Sequence, residues 1–148
     1  MKKIAILSLF LAFSSLVSFA QSGIKFEEDA WALVVAKAKA ENKLIFLDAY
    51  TSWCGPCKLL QTRVFPDAEL GKYFNSNFLS TKIDMEKGEG PTIARKYNVR
   101  AYPTLLFIDP ETQKVVHKVL GYRSPEQLKQ VATTAIVHAD GIKSKASK

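Results

Sequence analysis

The sequence has few residues of the kinds that build metal centres and disulfide-stapled folds. Its 148 residues include only two cysteines and two histidines. Two cysteines form one disulfide at most, so a small scaffold held by several disulfides is excluded and the fold must rest on an apolar core. A structural zinc site is disfavoured as well, because zinc takes four ligands in such sites and the sequence has no second cysteine pair.

The excess of charge of one sign is also small. The 21 lysines and arginines stand against 14 aspartates and glutamates, which gives a formal net charge of +7. Part of this excess lies near the two ends of the chain, so it is too mild and too scattered to indicate nucleic-acid binding. The composition, 47% hydrophobic and 24% charged, excludes a disordered or collagen-like chain. The length favours a single domain.

The sequence has only one long apolar run, and it lies at the N-terminus. Lys2 and Lys3 precede an apolar stretch at residues 4–17, and small residues up to Ala20 form a cleavage site. This layout predicts that residues 1–20 are a secretory signal peptide, cleaved after Ala20. The stretch is shorter than the roughly 20 residues of a membrane-spanning helix. We therefore expect a mature chain without a membrane span, exported to the periplasm of a bacterium, where thiols meet oxidising conditions.

The rest of the chain alternates between helical and extended patterns. Helices are predicted at residues 27–41, 55–64, 67–74, 91–97 and 125–138, and strands at residues 24–26, 44–50, 78–84, 103–108 and 114–120. Acidic residues open the first helix, where the helix dipole favours them. The alternation predicts an α/β fold, a three-layer α/β/α sandwich whose mixed central sheet ends in an antiparallel hairpin. We assign the domain to residues 21–138 and expect a flexible basic tail at residues 139–148.

One hexapeptide, WCGPCK at residues 53–58, carries the reactive groups of the sequence. It lies between a predicted buried strand and a predicted helix, which places Cys54 at a helix start. Unpaired backbone N–H groups and the helix dipole favour a thiolate there, and the thiolate is the nucleophile of disulfide exchange. Cys57 lies one turn further on the same face, within reach of Cys54. We expect Gly55 to relieve crowding at the turn and Pro56 to stiffen it.

Two alternatives to a redox-active pair have to be weighed. A Cys-x-x-Cys pair can be half of a zinc site, but the only histidines, His117 and His138, are predicted on the final hairpin and at the end of the last helix. A purely structural disulfide would close so short a loop that it restrains the unfolded chain little. A redox-active Cys54–Cys57 dithiol without a metal is therefore favoured.

The sequence resembles the thioredoxin superfamily over nearly all of residues 27–138. The hexapeptide is similar to that of thioredoxin itself, and Tyr102-Pro103-Thr104 matches a second signature of the family. The resemblance implies a thioredoxin fold in which Pro103 is cis and faces the cysteines, and in which Trp53 and Tyr102 flank the reactive sulfur. Plain core packing is the alternative for these two rings. The substrate surface implied by the resemblance consists of Trp53, Gly55, Pro56, Tyr102, Pro103 and Thr104.

Asp48, six residues before Cys54, is a third match. The resemblance implies a buried aspartate near the second cysteine, with a raised pKa, and we hypothesise that Asp48 accepts the proton of Cys57 as that thiol attacks. The alternative is a strand-end aspartate that reaches water. Thioredoxins often place a lysine on the neighbouring strand, where this chain has Ser80. Lys82 lies two residues away on the same face, and its influence on Asp48 is left open.

The resemblance implies a thiol–disulfide oxidoreductase, and Gly-Pro between the cysteines resembles the reducing end of the family. Residues 64–67 resemble exported thioredoxin-like domains, including the periplasmic domains of transmembrane electron carriers. We expect an exported protein-disulfide reductase that uses the Cys54–Cys57 dithiol and no nucleotide or metal cofactor. Its expected partners are disulfide-containing proteins or apocytochrome thiols and a membrane electron donor, without nucleic acid. A disulfide oxidant or isomerase is the first alternative, and a non-catalytic peptide-binding module is the second.

Overall fold

The structure, a computed structural model, describes residues 23–146 of the chain. The predicted signal peptide at residues 1–20 lies outside this range, so its cleavage stays a prediction. The strands in the described range are β1 (Phe26–Glu27), β2 (Leu44–Tyr50), β3 (Phe78–Asp84), β4 (Thr104–Ile108) and β5 (Val115–Leu120). The helices are α1 (Trp31–Ala40), α2 (Gly55–Leu59), α3 (Ala68–Asn77), α4 (Gly90–Lys96) and α5 (Pro125–Ala146), and a π-helical turn at Leu60–Val64 directly follows α2. Within residues 23–146 no helix is long and apolar enough to cross a membrane.

The strands form one mixed sheet in the order β1-β3-β2-β4-β5. β3 pairs in parallel with both β1 and β2, whereas β4 is antiparallel to both β2 and β5. The predicted mixed sheet with an antiparallel final hairpin is therefore confirmed. β2 lies at the centre of the sheet, and its five inner residues are buried because helices cover both faces.

Alternate residues of β2 point into two separate apolar layers. One layer, shared with α1 and α4, contains the odd-numbered residues Ile45, Leu47 and Ala49. The other layer contains Phe46 together with Leu60 of the π-helical turn and residues of α3 and α5. Because side chains alternate along a strand, Asp48 lies on the same face as Phe46. Its carboxylate therefore points towards the helices that follow the cysteines.

α1 begins at Trp31, so the prediction of a helix from residue 27 was wrong. Glu27 lies instead in β1, where it pairs with Thr81 and where its carbonyl accepts a hydrogen bond of 3.0 Å from the Thr81 hydroxyl. Ala30 has no side-chain group to cap the helix, and the N–H of Trp31 donates to Glu89 Oε1 over 2.6 Å. The acceptor at the helix start thus comes from the loop before α4, and not from the acidic run that precedes the helix.

The predicted helix at residues 55–64 is divided into two parts. α2 is a regular helix, and the turn that follows it is π-helical, closed by a hydrogen bond of 2.8 Å from the N–H of Phe65 to the carbonyl of Leu60. The next helix ends later than predicted, because α3 continues to Asn77. Asp67 caps its start, with Oδ1 accepting a hydrogen bond of 2.7 Å from the N–H of Leu70.

The last helix is also longer than predicted. We expected it to end near His138, but α5 continues to Ala146. Ala135 and Ala139 are 0% and 4% exposed, so the buried face of the helix continues past His138 and stabilises the next turn. The flexibility expected for residues 139–148 stays a prediction.

The residues directly before β1 are tied to α3. Gly23 has a φ of +97°, a conformation that favours glycine, and its carbonyl accepts a hydrogen bond of 3.1 Å from Asn75 Nδ2. The N–H of Ile24 donates to the carbonyl of Phe65 over 2.8 Å. Gly71 of α3 faces Gly23, and a Cβ at position 71 would overlap the Gly23 backbone. Glycine at both positions therefore lets this segment lie directly on α3.

We expect the Gly71→Ala variant to be about 1–2 kcal/mol less stable than wild type. The overlap with Gly23 costs up to about 3 kcal/mol, and the helix propensity of alanine contributes only about 1 kcal/mol in return. Urea denaturation of the oxidised protein measures the difference. Gly141→Ala is the matched control, because a Cβ there meets nothing within 4 Å and α5 should gain stability. Equal stability of Gly71→Ala and wild type would contradict the close approach.

Candidate active site: the Cys54–Cys57 pair

Cys54 is the residue immediately before α2, at the end of the turn that follows β2. Its N–H donates to the carbonyl of Thr51 over 3.2 Å, and its carbonyl accepts a hydrogen bond of 3.2 Å from the N–H of Lys58. Cys54 and Cys57 form a disulfide with their Cα atoms 5.3 Å apart. The N–H of Cys57 donates to Cys54 Sγ over 3.2 Å. The first turn of α2 therefore aims a backbone donor at the sulfur of Cys54, as the sequence predicted.

The two cysteines differ in their access to solvent. Cys54 is 4% exposed and Cys57 is 0% exposed, so only the first can meet a partner disulfide without rearrangement. Pro56 occupies the first turn of α2, where its missing N–H leaves no hydrogen bond unmade. The role expected for Gly55 is not supported, because a Cβ at this position would meet nothing within 4 Å. The space beside Gly55 is therefore open and not crowded.

Two aromatic rings lie near the cysteine motif: Trp53 directly precedes Cys54 in the chain, and Tyr102 contacts Trp53. Trp53 is 63% exposed, which rules out core packing for this ring. Its indole Nε1 donates to Glu86 Oε2 over 3.0 Å, and its ring meets the half-buried Tyr102 ring edge-on with centroids 5.9 Å apart. The structure thus brings Trp53 and Tyr102 together at the surface, where they form an aromatic patch beside Cys54.

The peptide bond before Pro103 is cis, as the resemblance implied. The carbonyl of Pro103 accepts a hydrogen bond of 2.8 Å from the N–H of Gly121. Pro103 and Thr104 are both buried, and the hydroxyl of Thr104 donates to the carbonyl of Ala101 over 2.7 Å. The side chain of Thr104 is therefore engaged inside the protein, and any contact with substrate at this position would involve the backbone.

Asp48 is completely buried, which rules out the alternative of a strand-end aspartate that reaches water. The residue is 0% exposed, and neither carboxylate oxygen has a hydrogen-bond partner within residues 23–146. Burial without a partner raises the pKa of Asp48 to about 7, and the charge of Lys82 opposes this rise. Asp48 faces the layer that contains Leu60 of the π-helical turn, and Leu60 lies three residues after the buried Cys57.

Lys82 is the cation that acts on Asp48. It is the register partner of Asp48 on β3, so the two side chains project from the same face. Its side chain is exposed and its ammonium lies 5.6 Å above the centre of the Phe26 ring. Ser80, two residues earlier on the same face, is buried and carries no charge. The electrostatic influence on Asp48 that sequence analysis left open therefore comes from the protein surface.

The two histidines come together in the structure although the sequence places them on different elements. The rings of His117 on β5 and His138 on α5 meet edge-on with centroids 5.1 Å apart. Burial, with the neighbouring His138 as a smaller cause, lowers the pKa of His117. Within residues 23–146 no group of three or more histidine, cysteine, aspartate or glutamate side chains gathers into a metal-binding cluster.

Sequence analysis missed Glu86. A signal for it was present, because β2 and β3 are parallel neighbours and their carboxyl ends meet at the same edge of the sheet. Residues that follow Asp84 therefore lie beside residues that follow Tyr50, and the cysteine motif is among the latter. To predict that Glu86 lies beside the cysteine motif also requires the register of β2 against β3, which the sequence pattern alone does not provide.

Comparisons with known proteins agree with this geometry. A family model described as a thioredoxin-like domain matches residues 31–136. The chain is 36% identical over 112 residues to thioredoxin H4 of Arabidopsis thaliana, which covers 75% of this chain and 88% of that protein. It is 30% identical over 95 residues to the thiol:disulfide interchange protein DsbD of Yersinia pestis, covering 63% of this chain and only 16% of DsbD. A solution structure of a proposed disulphide isomerase from Bacteroides thetaiotaomicron is 47% identical, with a TM-score of 0.65 and coverage of 74% of this chain and 91% of that one.

We expect Asp48→Asn to change how the free energy of unfolding depends on pH. An aspartate ionises near pH 3.8 in the unfolded chain, whereas Asp48 ionises near pH 7 in the folded protein. Between these values the folded state holds the extra proton, so wild-type stability falls as pH rises through this window. The total loss is on the order of 4 kcal/mol, and the variant should lack it.

Urea denaturation of the oxidised protein at intervals from pH 4 to pH 8 measures this difference. Burial of the asparagine amide in Asp48→Asn changes the free energy of unfolding by the same amount at every pH. It therefore does not affect how the stability of the variant changes with pH. Asp140→Asn, which removes an exposed carboxylate on α5, is the matched control and should follow wild type. Parallel pH profiles for Asp48→Asn and wild type would show that Asp48 titrates alike in the folded and unfolded chains.

Proposed function

This chain belongs to the thioredoxin-like family and is a thiol–disulfide oxidoreductase, and from that premise we propose that it reduces protein disulfides outside the cytoplasm. The observation that carries the proposal is the asymmetry of the cysteine pair. Cys54 is the more exposed residue and its sulfur accepts a hydrogen bond from the N–H of Cys57, whereas Cys57 is completely buried. One thiol is thus arranged to attack a partner and the other to attack afterwards.

The first step uses the reduced dithiol. The thiolate of Cys54 attacks one sulfur of the substrate disulfide, a new S–S bond forms, and the other substrate sulfur leaves as a thiolate that takes up a proton. The N–H of Cys57, 3.2 Å from Cys54 Sγ, and the start of α2 favour the negative form of the attacking sulfur. The exposed ring of Trp53 and the ring of Tyr102 offer apolar area for the peptide around the disulfide.

The second step releases the reduced substrate. Cys57 gives up its proton, attacks Cys54 Sγ, and expels the substrate sulfur, which leaves the Cys54–Cys57 disulfide seen in the structure. We assign Asp48 as the proton acceptor, because a carboxyl group with a pKa of about 7 can gain or lose a proton near neutral pH. Two electrons pass from the dithiol to the substrate, and no other cofactor takes part in this proposal.

A second dithiol has to reduce Cys54–Cys57 after each cycle. We propose a membrane protein as this donor, since the predicted signal peptide places the mature chain outside the cytoplasm. The likeness to DsbD, a thiol:disulfide interchange protein, supports the exchange of disulfides with another protein. The substrates are proposed to be disulfide-containing proteins, among them apocytochromes whose paired thiols have been oxidised to a disulfide and are returned to the thiol form.

Disulfide isomerisation is the second candidate function. It is favoured by the likeness, at 47% identity, to a solved structure that is described as a proposed disulphide isomerase. The same dithiol serves either role, because an isomerase also forms a mixed disulfide through its exposed cysteine. The reduction potential of the pair and the availability of a donor separate the two candidates.

We expect the two cysteine variants to fail at different steps. Cys54→Ser should abolish turnover of insulin, because it removes the attacking sulfur. Cys57→Ser should accumulate a covalent Cys54–substrate adduct, since nothing then attacks Cys54. Non-reducing electrophoresis and mass spectrometry identify the adduct and the residue that carries it. Adducts carried by Cys57 in the Cys54→Ser variant would reverse the assignment of the two thiols.

With Cys57 intact, Asp48→Asn should release the adduct more slowly than wild type near neutral pH.

The direction of electron flow is tested by the equilibrium reduction potential of the mature protein in glutathione or dithiothreitol buffers. We expect a value near that of thioredoxin, about −270 mV, and far from the value of about −120 mV of the oxidant DsbA. A value at the oxidant end would overturn the reductive direction and support a disulfide-forming role. A pair with no reversible couple would contradict oxidoreductase function altogether and support a peptide-binding role.

A further inference from the structure

The loop that joins β3 to α4 is held rigidly at the edge of the aromatic patch. The N–H of Met85 donates to the carbonyl of Tyr50 over 2.8 Å, and the N–H of Glu86 donates to Asp84 Oδ1 over 3.0 Å. Gly90 at the start of α4 lies so close to Asp84 that a Cβ would overlap its carbonyl oxygen. The backbone at Glu86 is therefore fixed by contacts on both sides, and its side chain starts from a defined position.

Trp53 depends on this loop for its orientation. The ring is 63% exposed, so little of it is held by packing. Two contacts define its position: the hydrogen bond of 3.0 Å from Nε1 to Glu86 Oε2 and the edge-on contact with Tyr102. An exposed side chain with so few contacts would otherwise sample several rotamers and would have to be ordered when a partner binds.

The position of the Glu86 carboxylate is consistent with this role. Burial is the main cause that raises the pKa of Tyr102, and the negative charges of Glu86 and Asp84 add to it. Glu86 therefore acts on both rings of the patch, by a hydrogen bond on one and through its charge on the other. Its carboxylate has no ion-pair partner within the described part of the chain, so the acceptor is not taken up by a lysine or arginine.

We propose that Glu86 is a positioning residue that fixes the Trp53 indole and so pre-orders the surface on which a protein disulfide docks beside Cys54. This inference rests on the proposed function, because it concerns how the same dithiol meets a macromolecular substrate. A pre-ordered ring contributes to docking of a folded or extended polypeptide, which covers the patch. A small neutral disulfide reaches Cys54 without covering the ring and gains nothing from its order.

The experiment compares Glu86→Ala with Glu86→Gln. The alanine variant removes the acceptor, whereas glutamine keeps a carbonyl oxygen that accepts the indole N–H and removes only the charge. Glu111→Ala is the matched control: it also removes an exposed glutamate, at the end of β4, on the sheet edge opposite to the cysteines. Each reduced protein is assayed with insulin and with bis(2-hydroxyethyl) disulfide, a small neutral substrate.

We expect Glu86→Ala to raise the KM for insulin about 3- to 10-fold, the range that follows from ordering one side chain on binding. Its kcat for insulin and its kinetics with the small disulfide should stay within twofold of wild type. Glu86→Gln and Glu111→Ala should resemble wild type throughout. An unchanged KM in Glu86→Ala, an equal loss in Glu86→Gln, or an equal loss with the small disulfide would overturn the positioning role.

A second readout does not depend on turnover. The indole ¹H–¹⁵N resonance of Trp53, assigned with a Trp53→Phe variant, should move in Glu86→Ala towards the position of a solvent-exposed indole and should stay in place in Glu86→Gln. If wild type reduces neither disulfide, the proposed function fails while this resonance still tests the hydrogen bond. If wild type reduces both and the resonance is the same in all variants, the positioning role fails while the proposed function stands.

Discussion

The burial of the central strand on both faces is the constraint on which the site depends. β2 has apolar layers above and below it, and Asp48 is the one charged residue among its inner positions. A carboxyl group in that place has no water to solvate its ionised form, so its pKa rises to about 7. The same strand ends at the turn that places Cys54 at a helix start. One buried strand therefore determines both the environment of the proposed proton acceptor, Asp48, and the position of the Cys54 sulfur.

The burial of Asp48 lowers the free energy of unfolding at neutral pH. Asp48 ionises at a much lower pH in the unfolded chain than in the folded one. The folded state therefore loses stability as the pH rises towards 7. An asparagine or an apolar residue would fit the layer without that loss. A group that destabilises the fold in this way fits the proton transfer proposed for Asp48, since such perturbed groups concentrate at functional sites.

The parts of the fold that the sequence predicted well are those governed by local signals. β2 and β3 have the predicted limits, and for β2 the reason is a compact apolar run bounded by clear turn residues. The parts that it missed depend on distant contacts. The start of α1 is decided by Glu89, an acceptor 58 residues away, and Glu86 reaches Trp53 only through the parallel register of β2 and β3. The pairing of Cys54 with Cys57 was predicted from the spacing and place of the motif and is present in the structure, whereas the buried state of Thr104 required the structure.

The case of Lys82 shows why residue types alone do not settle the electrostatics of such a site. A lysine at position 80 would have entered the buried layer, whereas Lys82 extends to the surface above Phe26. Its charge is therefore screened by solvent, and its attraction for the Asp48 carboxylate is smaller than the penalty of burial, which is the larger of the two causes acting on that pKa. The shift of the cation by two positions along β3 keeps it on the same face as Asp48. It also leaves burial as the dominant cause, so Asp48 remains protonated up to about pH 7 and available to exchange a proton there.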